Sequence, residues 1–150
     1  MEYEHQPVML KEVLDFLAVK KGGRYIDCTL GGAGYTSELA KRTGEEGEVM
    51  SLDLDHHAID NAQQKLVSEN INNVRLVLGN FKNLTELYQQ NFNDSKGVDG
   101  IVLYLGLSSF QLADTKRVFS FQTDRTLDMA FGPEIKISTQ QIVNQYPLLE

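Results

Sequence analysis

The chain has 150 residues, 41% of them hydrophobic, and its 14 Lys and Arg against 21 Asp and Glu give a formal charge of −7. This composition indicates one globular domain and excludes a disordered chain, and its acidic balance argues against a free-standing nucleic-acid binder, since phosphates attract Lys and Arg. A single Cys excludes an internal disulfide and a Cys-rich zinc site, and the lack of a long apolar run excludes a membrane span. The acidic start does not match a signal peptide, so we expect a soluble, cytoplasmic protein.

Hydrophobic periodicity and turn residues predict helices that alternate with strands. The first helix is expected from about 9 to 19, because apolar residues recur on one helical face there, and Gly22 and Gly23 are expected to end it. The further predicted elements are, in chain order, a strand at 24–29, a helix beginning near 36–41, a strand at 48–53, a helix around 59–66, a strand at 74–78, a helix around 84–88 and a strand at 98–105.

This alternation predicts an α/β fold with a doubly wound, mostly parallel sheet. The strand at 98–105 is nearly all apolar, so we expect it to be central. After Leu105 about 40 residues follow without clear periodicity. Four strands make a small sheet with an open apolar edge, which predicts that the chain is the N-terminal part of a larger enzyme and that the edge is a surface for self-association.

Ligands of a doubly wound sheet bind beyond the carboxyl ends of its strands, and four candidate features follow predicted strands here. The first is the segment D-C-T-L-G-G-A-G at 27–34, a glycine turn that enters a helix. Its glycines allow close backbone approach, and the helix start offers N–H donors to a carboxylate or phosphate. Ser37 takes the third position of a G-x-G-x-x-G pattern, which favours a small carboxylate over a dinucleotide; a plain tight turn is the alternative.

The second feature is Asp53, at the end of the second strand. It lies 22 positions after Gly31, near the ~20-residue offset at which an acid accepts hydrogen bonds from ribose hydroxyls. A helix N-cap is the alternative role, for which Asp55 competes. The third is Phe81, which could pack on a planar base, although a core position is the commoner role of a lone Phe. The fourth is the segment 106–111, where the reacting group would be presented. Together the four favour an adenosine cofactor that carries a carboxylate, S-adenosylmethionine.

Other reactive side chains have simpler interpretations. Cys28 lies in a predicted buried strand and is expected to be a small core residue. His56 and His57 are expected at a solvated helix start, with metal binding the less favoured alternative, and no metal site is predicted. Ser108 and Ser109 lack a local His and a G-x-S-x-G turn, so a hydrolase is not expected.

Several segments resemble the MraW-type ribosomal RNA methyltransferases. They are H-Q-P-V-M-L-K-E-V at 5–13, Y-I-D-C-T-L-G-G at 25–32, D-L-D at 53–55, G-N-F at 79–81, D-G-I at 99–101, L-G-L-S-S-F-Q-L at 105–112, F-S-F at 119–121, L-D-M at 127–129 and I-V-N at 142–144. The resemblance covers essentially the whole chain, and the segment 105–112 is hard to obtain by chance.

The resemblance implies a Rossmann-like S-adenosylmethionine-dependent methyltransferase fold, with residues 1–150 as its N-terminal part and the inserted helical substrate domain and later strands absent. It implies methylation of the N4 amine of a cytosine in 16S ribosomal RNA, with S-adenosyl-L-methionine as cofactor and that RNA or the small ribosomal subunit as partner. The matching cofactor positions are Ala33, Gly34, Tyr35, Asp53, Phe81, Tyr104 and Gln111, and the positions assigned to catalysis are Tyr104, Ser108 and Ser109. Ala33 and Tyr35 stand where Gly and His are commonest.

Four further positions depart from the family pattern. Tyr104 stands where the family has Asp, and its phenol is bulkier and neutral at pH 7. Ala113 replaces an acid, Val118 a Gly and Ala130 an Arg. We therefore hypothesise weak or absent activity for this chain by itself. The alternatives are a non-catalytic methyltransferase-like module that binds a partner, and an NAD-dependent dehydrogenase, which the missing third glycine disfavours.

Overall fold

The structure, a computed structural model, describes residues 7–92, 94–106, 129 and 137–147. The chain divides into two compact units, residues 1–106 and 107–150. In the first, strands β1 to β4 span Arg24–Asp27, Glu48–Asp53, Val74–Leu78 and Gly100–Val102, and helices α1 to α4 span Leu10–Phe16, Gly34–Thr43, His56–Ser68 and Leu84–Asn91, with a 3₁₀ turn at Phe81–Asn83. In the second, helix α5 spans Thr139–Gln145 and begins in a capping box between Ser138 and Gln141.

The four strands form one parallel sheet in the order β3-β2-β1-β4. From β1 the chain moves outward through β2 to β3 and then returns to the other side of β1 to form β4. The direction of winding therefore reverses between β1 and β4, and in such sheets this switch point opens a crevice at the carboxyl ends of the two strands. Asp27 ends β1 opposite Ser51 of β2 and Val102 of β4, so these three positions mark the floor of that crevice.

Helices cover both faces of the sheet, because side chains along a strand point alternately to opposite sides. One face packs Tyr25, Val49 and Val102 against Leu14 of α1 and Leu39 of α2. The other face packs a second apolar cluster against α4 and the residue that follows it; its members are Ile26, Cys28, Met50, Leu52, Val77, Leu84, Leu87, Tyr88 and Phe92. The predicted doubly wound α/β fold and the core position of Cys28 are therefore confirmed.

The predicted bounds of β2 and β3 are confirmed, whereas those of the first elements are wrong. Helix α1 ends at Phe16, not near 19, because Ala18 adopts a left-handed conformation with φ 49° that turns the chain. Gly22 and Gly23 therefore lie beyond the helix end and do not form it. Strand β1 ends at Asp27, two residues before the predicted end, and α2 begins at Gly34, two residues before the predicted start.

The prediction that the fourth strand is long and central is also wrong for the described part of the chain. β4 covers three residues, Gly100–Val102, and pairs with β1 alone in the sheet that the structure describes. The apolar run that suggested a central strand continues past it, and Leu103 and Leu105 are 49% and 73% exposed. Apolar sequence suits a strand that is buried on both faces, but it does not determine which strands pair with its two edges.

Helices long and apolar enough to cross a membrane do not occur among the residues that the structure describes.

Candidate cofactor site

The glycine turn brings the start of α2 to the carboxyl end of β1. Gly31 and Ala33 both have a left-handed backbone, with φ 46° and 57°, and the N–H of Ala33 donates to the Leu30 carbonyl at 2.7 Å. Ala33 is fully buried, and its methyl packs on Leu30 and Ala62. A left-handed conformation favours Gly, which explains physically why a Gly suits this position. Gly34 and Tyr35 then open α2, so the N–H groups of the first helical turn lie at the sheet edge, where an anion can accept from them.

Asp53 ties this turn to the next strand. Its Oδ2 accepts a hydrogen bond from the Gly31 N–H, and its Oδ1 accepts from the Asp55 N–H, both at 2.9 Å. Burial raises the pKa of Asp53 above its ordinary value, although the backbone donors oppose this. Each carboxylate oxygen has a second lone pair, so the group can still accept from a ligand. Asp55, not Asp53, is the N-cap of α3, since its side chain accepts from the His57 N–H, and the alternative role for Asp53 is wrong.

Phe81 lies at the same edge of the sheet. It begins the 3₁₀ turn after β3, is 40% exposed, and follows Asn80, whose side chain caps that turn. The Gly79 N–H donates to the Asp53 carbonyl at 2.9 Å, so the ends of β2 and β3 are joined. The ring of Phe81 is therefore available to a ligand on the same edge as Asp53.

Tyr104 occupies the β4 side of the crevice. Its ring lies 6.0 Å from that of Tyr35, centroid to centroid, at an interplanar angle of 42°. Tyr35 is buried, and its hydroxyl donates to the Val8 carbonyl at 2.7 Å. Burial, and then the neighbouring Tyr104, raise the pKa of Tyr35. The two rings thus pack against each other on the face of the sheet that α1 covers, between the start of α2 and the end of β4.

A buried polar network underneath was missed by the sequence analysis. Asp27 is fully buried, and burial raises its pKa, although hydrogen bonds from Thr36 and Thr29 oppose this. Its Oδ2 accepts from Thr36 Oγ1 at 2.7 Å, and that hydroxyl lies 2.8 Å from Ser51 Oγ. Its Oδ1 accepts from the Thr29 N–H at 3.0 Å. An Asp at the end of an apolar strand was the one available signal, because a polar group buried there needs partners.

The remaining predicted positions fall in two groups. Gln111, Ser108 and Ser109 lie outside the described residues, as do the departures at 113, 118 and 130. His56 is exposed at the start of α3 and pairs with Asp60 one helical turn later, at 3.0 Å. Within the described ranges, no group of three or more His, Cys, Asp or Glu side chains could hold a metal ion.

The sequence pattern of the MraW methylase family matches residues 2–150. The chain belongs to this family. The family resemblance predicted from the sequence is therefore confirmed.

Relatives of the family show how much of it the chain represents. It is 44% identical over 147 residues to the ribosomal RNA small subunit methyltransferase H of Acetivibrio thermocellus, and 42% identical over 145 residues to that of Mycoplasma mycoides. These matches cover 97% and 95% of the chain and 46% of each relative. The chain therefore spans about half the length of the curated family members it matches.

Solved structures agree with the fold. The crystal structure of a proposed rRNA-methylase from Clostridium thermocellum matches with a TM-score of 0.54 at 26% identity, over 65% of this chain and 53% of that one. A SAM-dependent O-methyltransferase from Thermotoga maritima matches with a TM-score of 0.53 at 22% identity, over 67% and 36%, which shows the fold alone. The Rossmann-like methyltransferase fold is confirmed, and S-adenosyl-L-methionine is the cofactor that family and fold support.

Proposed function

We propose that this chain is the cofactor-binding part of an S-adenosyl-L-methionine-dependent enzyme that methylates the N4 amine of a cytosine in 16S ribosomal RNA. One observation carries the proposal: in a chain of this family, the carboxylate of Asp53 holds the Gly31 N–H at the switch-point edge of the sheet. This contact places an acceptor suited to ribose hydroxyls beside a helix start whose N–H groups suit a carboxylate. The donors and acceptors present therefore fit both ends of the cofactor.

Each part of the edge has a separate task in this proposal. The first turn of α2, with Ala33, Gly34 and Tyr35, would bind the cofactor's carboxylate, Asp53 would accept from the ribose, and Phe81 would pack on the adenine. When bound, the cofactor would supply an electrophilic methyl group on a sulfonium, with a neutral thioether as the leaving group. The protein has to align amine and methyl in line, which is mainly positioning, and to accept the proton that the amine loses.

Tyr104 is the reason to expect weak or absent activity from this chain alone. A carboxylate at this position would accept a hydrogen bond from an amine through a charged oxygen, whereas Tyr104 offers only a phenolic hydroxyl. Its ring also packs against Tyr35 in the space beside the α2 start. The family resemblance also assigns roles to Ser108, Ser109 and Gln111, which lie outside the described residues, and the rest of the family's length would supply the surface for the RNA.

Calorimetric titration of S-adenosyl-L-methionine into the 150-residue chain and its Tyr104→Asp variant tests the proposal. We expect the variant to bind about tenfold more tightly, because hydrogen bonds to a charged acceptor are worth roughly 1.5–3 kcal/mol, against 0.5–1.5 for neutral ones. Tyr104→Asn is the matched control, since it removes the ring without adding a charge, and it should not gain as much. If none of the three folded proteins gives a heat of binding, cofactor binding by this part of the family is refuted.

A second candidate, a non-catalytic module that pairs with a second copy of itself, is favoured by the edge of β4. Ile101 and Leu103 are 39% and 49% exposed there, and an apolar groove of about 480 Å³ lies between α1 and this strand. Among the described residues β4 pairs with β1 alone, so its other edge could join that of a second copy antiparallel about a two-fold axis, each satisfying the other's backbone groups.

Sedimentation velocity over a wide range of protein concentration tests this second candidate. We expect the chain to become a dimer with rising concentration and Leu103→Lys to stay a monomer, since a charge at an edge opposes pairing. Val67→Lys, at an even more exposed apolar position on α3, is the control that should leave the dimer intact. A wild-type chain that stays monomeric throughout would refute self-association.

A further inference from the structure

Backbone pairing between β1 and β4 stops at the point where the crevice begins. The last bond of the ladder is donated by the Cys28 N–H to the Val102 carbonyl, at 2.9 Å. One step further along, the chain ends of the two strands separate, since one enters the glycine turn and the other continues to Tyr104. This is the switch point at which such sheets bind their ligands.

A side chain takes over the pairing there. The Tyr104 N–H donates to Thr29 Oγ1 at 2.7 Å, so a hydroxyl on the glycine-turn side replaces the carbonyl that a continuing strand would have offered. The contact joins residues 75 positions apart in the chain. This hydroxyl therefore bridges the glycine turn and the end of β4, across the width of the crevice.

Asp27 holds the hydroxyl in place from below. Its Oδ1 accepts from the Thr29 N–H at 3.0 Å and lies 3.4 Å from Thr29 Oγ1, so the hydroxyl hydrogen points to the carboxylate and a lone pair faces the Tyr104 N–H. The other oxygen, Oδ2, accepts from Thr36 Oγ1 in the first turn of α2. One buried carboxylate thus fixes the glycine turn, the start of α2 and, through Thr29, the end of β4.

We infer that Thr29 is a positioning residue of the cofactor site, which sets the place of the Tyr104 backbone relative to the glycine turn through a hydroxyl oriented by Asp27. The inference rests on the proposed cofactor function, because the crevice width matters only if a ligand spans it. Tyr104 also packs on Tyr35 at the α2 start, so a displaced backbone at 104 would carry its ring across the same space.

The experiment compares Thr29→Val, which keeps the shape and removes the hydroxyl, with Thr29→Ser, which keeps the hydroxyl. Amide hydrogen exchange followed by NMR reports the Tyr104 N–H directly and needs no ligand, and titration of S-adenosyl-L-methionine reports the site. In Thr29→Val we expect the protection of the Tyr104 amide and the cofactor affinity each to fall about tenfold, the loss of one hydrogen bond to a buried donor. In Thr29→Ser both should stay within about threefold of the wild type.

Amides of the β2–β3 ladder, between Glu48 and Asp53, control for general loosening and should keep their protection in both variants. If Thr29→Val does not fold, Thr29→Cys, whose thiol is a weak acceptor, gives the same comparison with Thr29→Ser. If the Tyr104 amide keeps its protection in Thr29→Val, the inference is overturned, whatever the cofactor affinity. It is also overturned if that protection is lost while the cofactor affinity stays unchanged. Lost protection in a chain whose wild type binds no cofactor would refute the proposed function while leaving the bridge itself supported.

Discussion

Arg24→Ala is expected to lower the free energy of unfolding by about 3 kcal/mol, the largest single effect outside the cofactor site. The guanidinium is 3% exposed and donates to Glu48, to both carboxylate oxygens of Asp94 and to the Tyr88 hydroxyl. It also lies 4.1 Å above the centre of the Phe92 ring. Truncation leaves these partners unpaired and a cavity under the ring, but Glu48 and Asp94 are partly exposed and can be hydrated, which keeps the loss moderate.

The same network gives the chain a defined dependence of stability on pH. The guanidinium of Arg24 lowers the pKa of Glu48 and of Asp94 below their ordinary values. A carboxylate with a lowered pKa in the folded state stabilises the fold at pH values above its unfolded pKa, about 4, and this contribution disappears as the pH falls through the folded value. Acid unfolding should therefore begin at a higher pH in Arg24→Ala than in the wild type.

Arg75→Ala is the matched control. Arg75 also donates to Glu48, at 3.2 Å, and also lies over the Phe92 ring, at 4.8 Å, but its side chain is 51% exposed. An exposed pair of this kind contributes about 1 kcal/mol or less. Urea unfolding of the two variants measures both losses, and equal losses would show that burial of Arg24 is not what makes its contacts strong.

The bounds of β2 and β3 could be predicted from the sequence because their limits are set by local signals. Gly47 directly precedes β2 and Gly79 directly follows β3, and each strand carries several apolar residues between polar or glycine limits. The end of β4 depends on a neighbouring strand instead, so its apolar sequence from 98 to 105 predicted a longer element than the three residues that pair. Helix α1 ends at Phe16, two residues before a left-handed Ala18, and nothing in an Ala signals that conformation.

The residues of the candidate site also differ in whether a signal in the sequence marks them. Asp53 and the glycine turn were predicted because their spacing along the chain matches a known arrangement of ligand contacts. The bridge from Thr29 to Tyr104 was not, because each partner is unremarkable alone and their meeting depends on the parallel pairing of β1 with β4. Long-range hydrogen bonds between side chain and backbone leave no periodic trace in a sequence, so the tertiary fold has to be known first.

Asp53→Asn should weaken binding of S-adenosyl-L-methionine about 100-fold, the largest expected effect on the proposed function. Two losses combine. An amide has one acceptor oxygen, so either the Gly31 or the Asp55 N–H would face an NH₂ group, which disturbs the glycine turn. The ligand's ribose would also lose a charged acceptor. Because burial raises the pKa of Asp53, affinity in the wild type should begin to fall at a higher pH than for an exposed Asp, and this dependence should vanish in the variant.

The loss of the ribose contact can be separated from the disturbance of the glycine turn by changing the ligand as well as the protein. Adenosine and 2′,3′-dideoxyadenosine differ in the ribose hydroxyls alone, so the two ligands and the two proteins form a cycle whose coupling energy isolates the contact between Asp53 and the ribose. For the dideoxy ligand, which lacks the ribose hydroxyls, we expect the affinities of wild type and Asp53→Asn to differ only through the disturbed glycine turn. For adenosine, we expect a much larger difference in affinity between the two proteins. Asp60→Asn, an exposed carboxylate on α3, is the control and should bind both ligands as the wild type does. A cycle without coupling would mean that Asp53 serves the glycine turn alone, and the acceptor of the ribose hydroxyls would then have to be sought elsewhere on the same sheet edge.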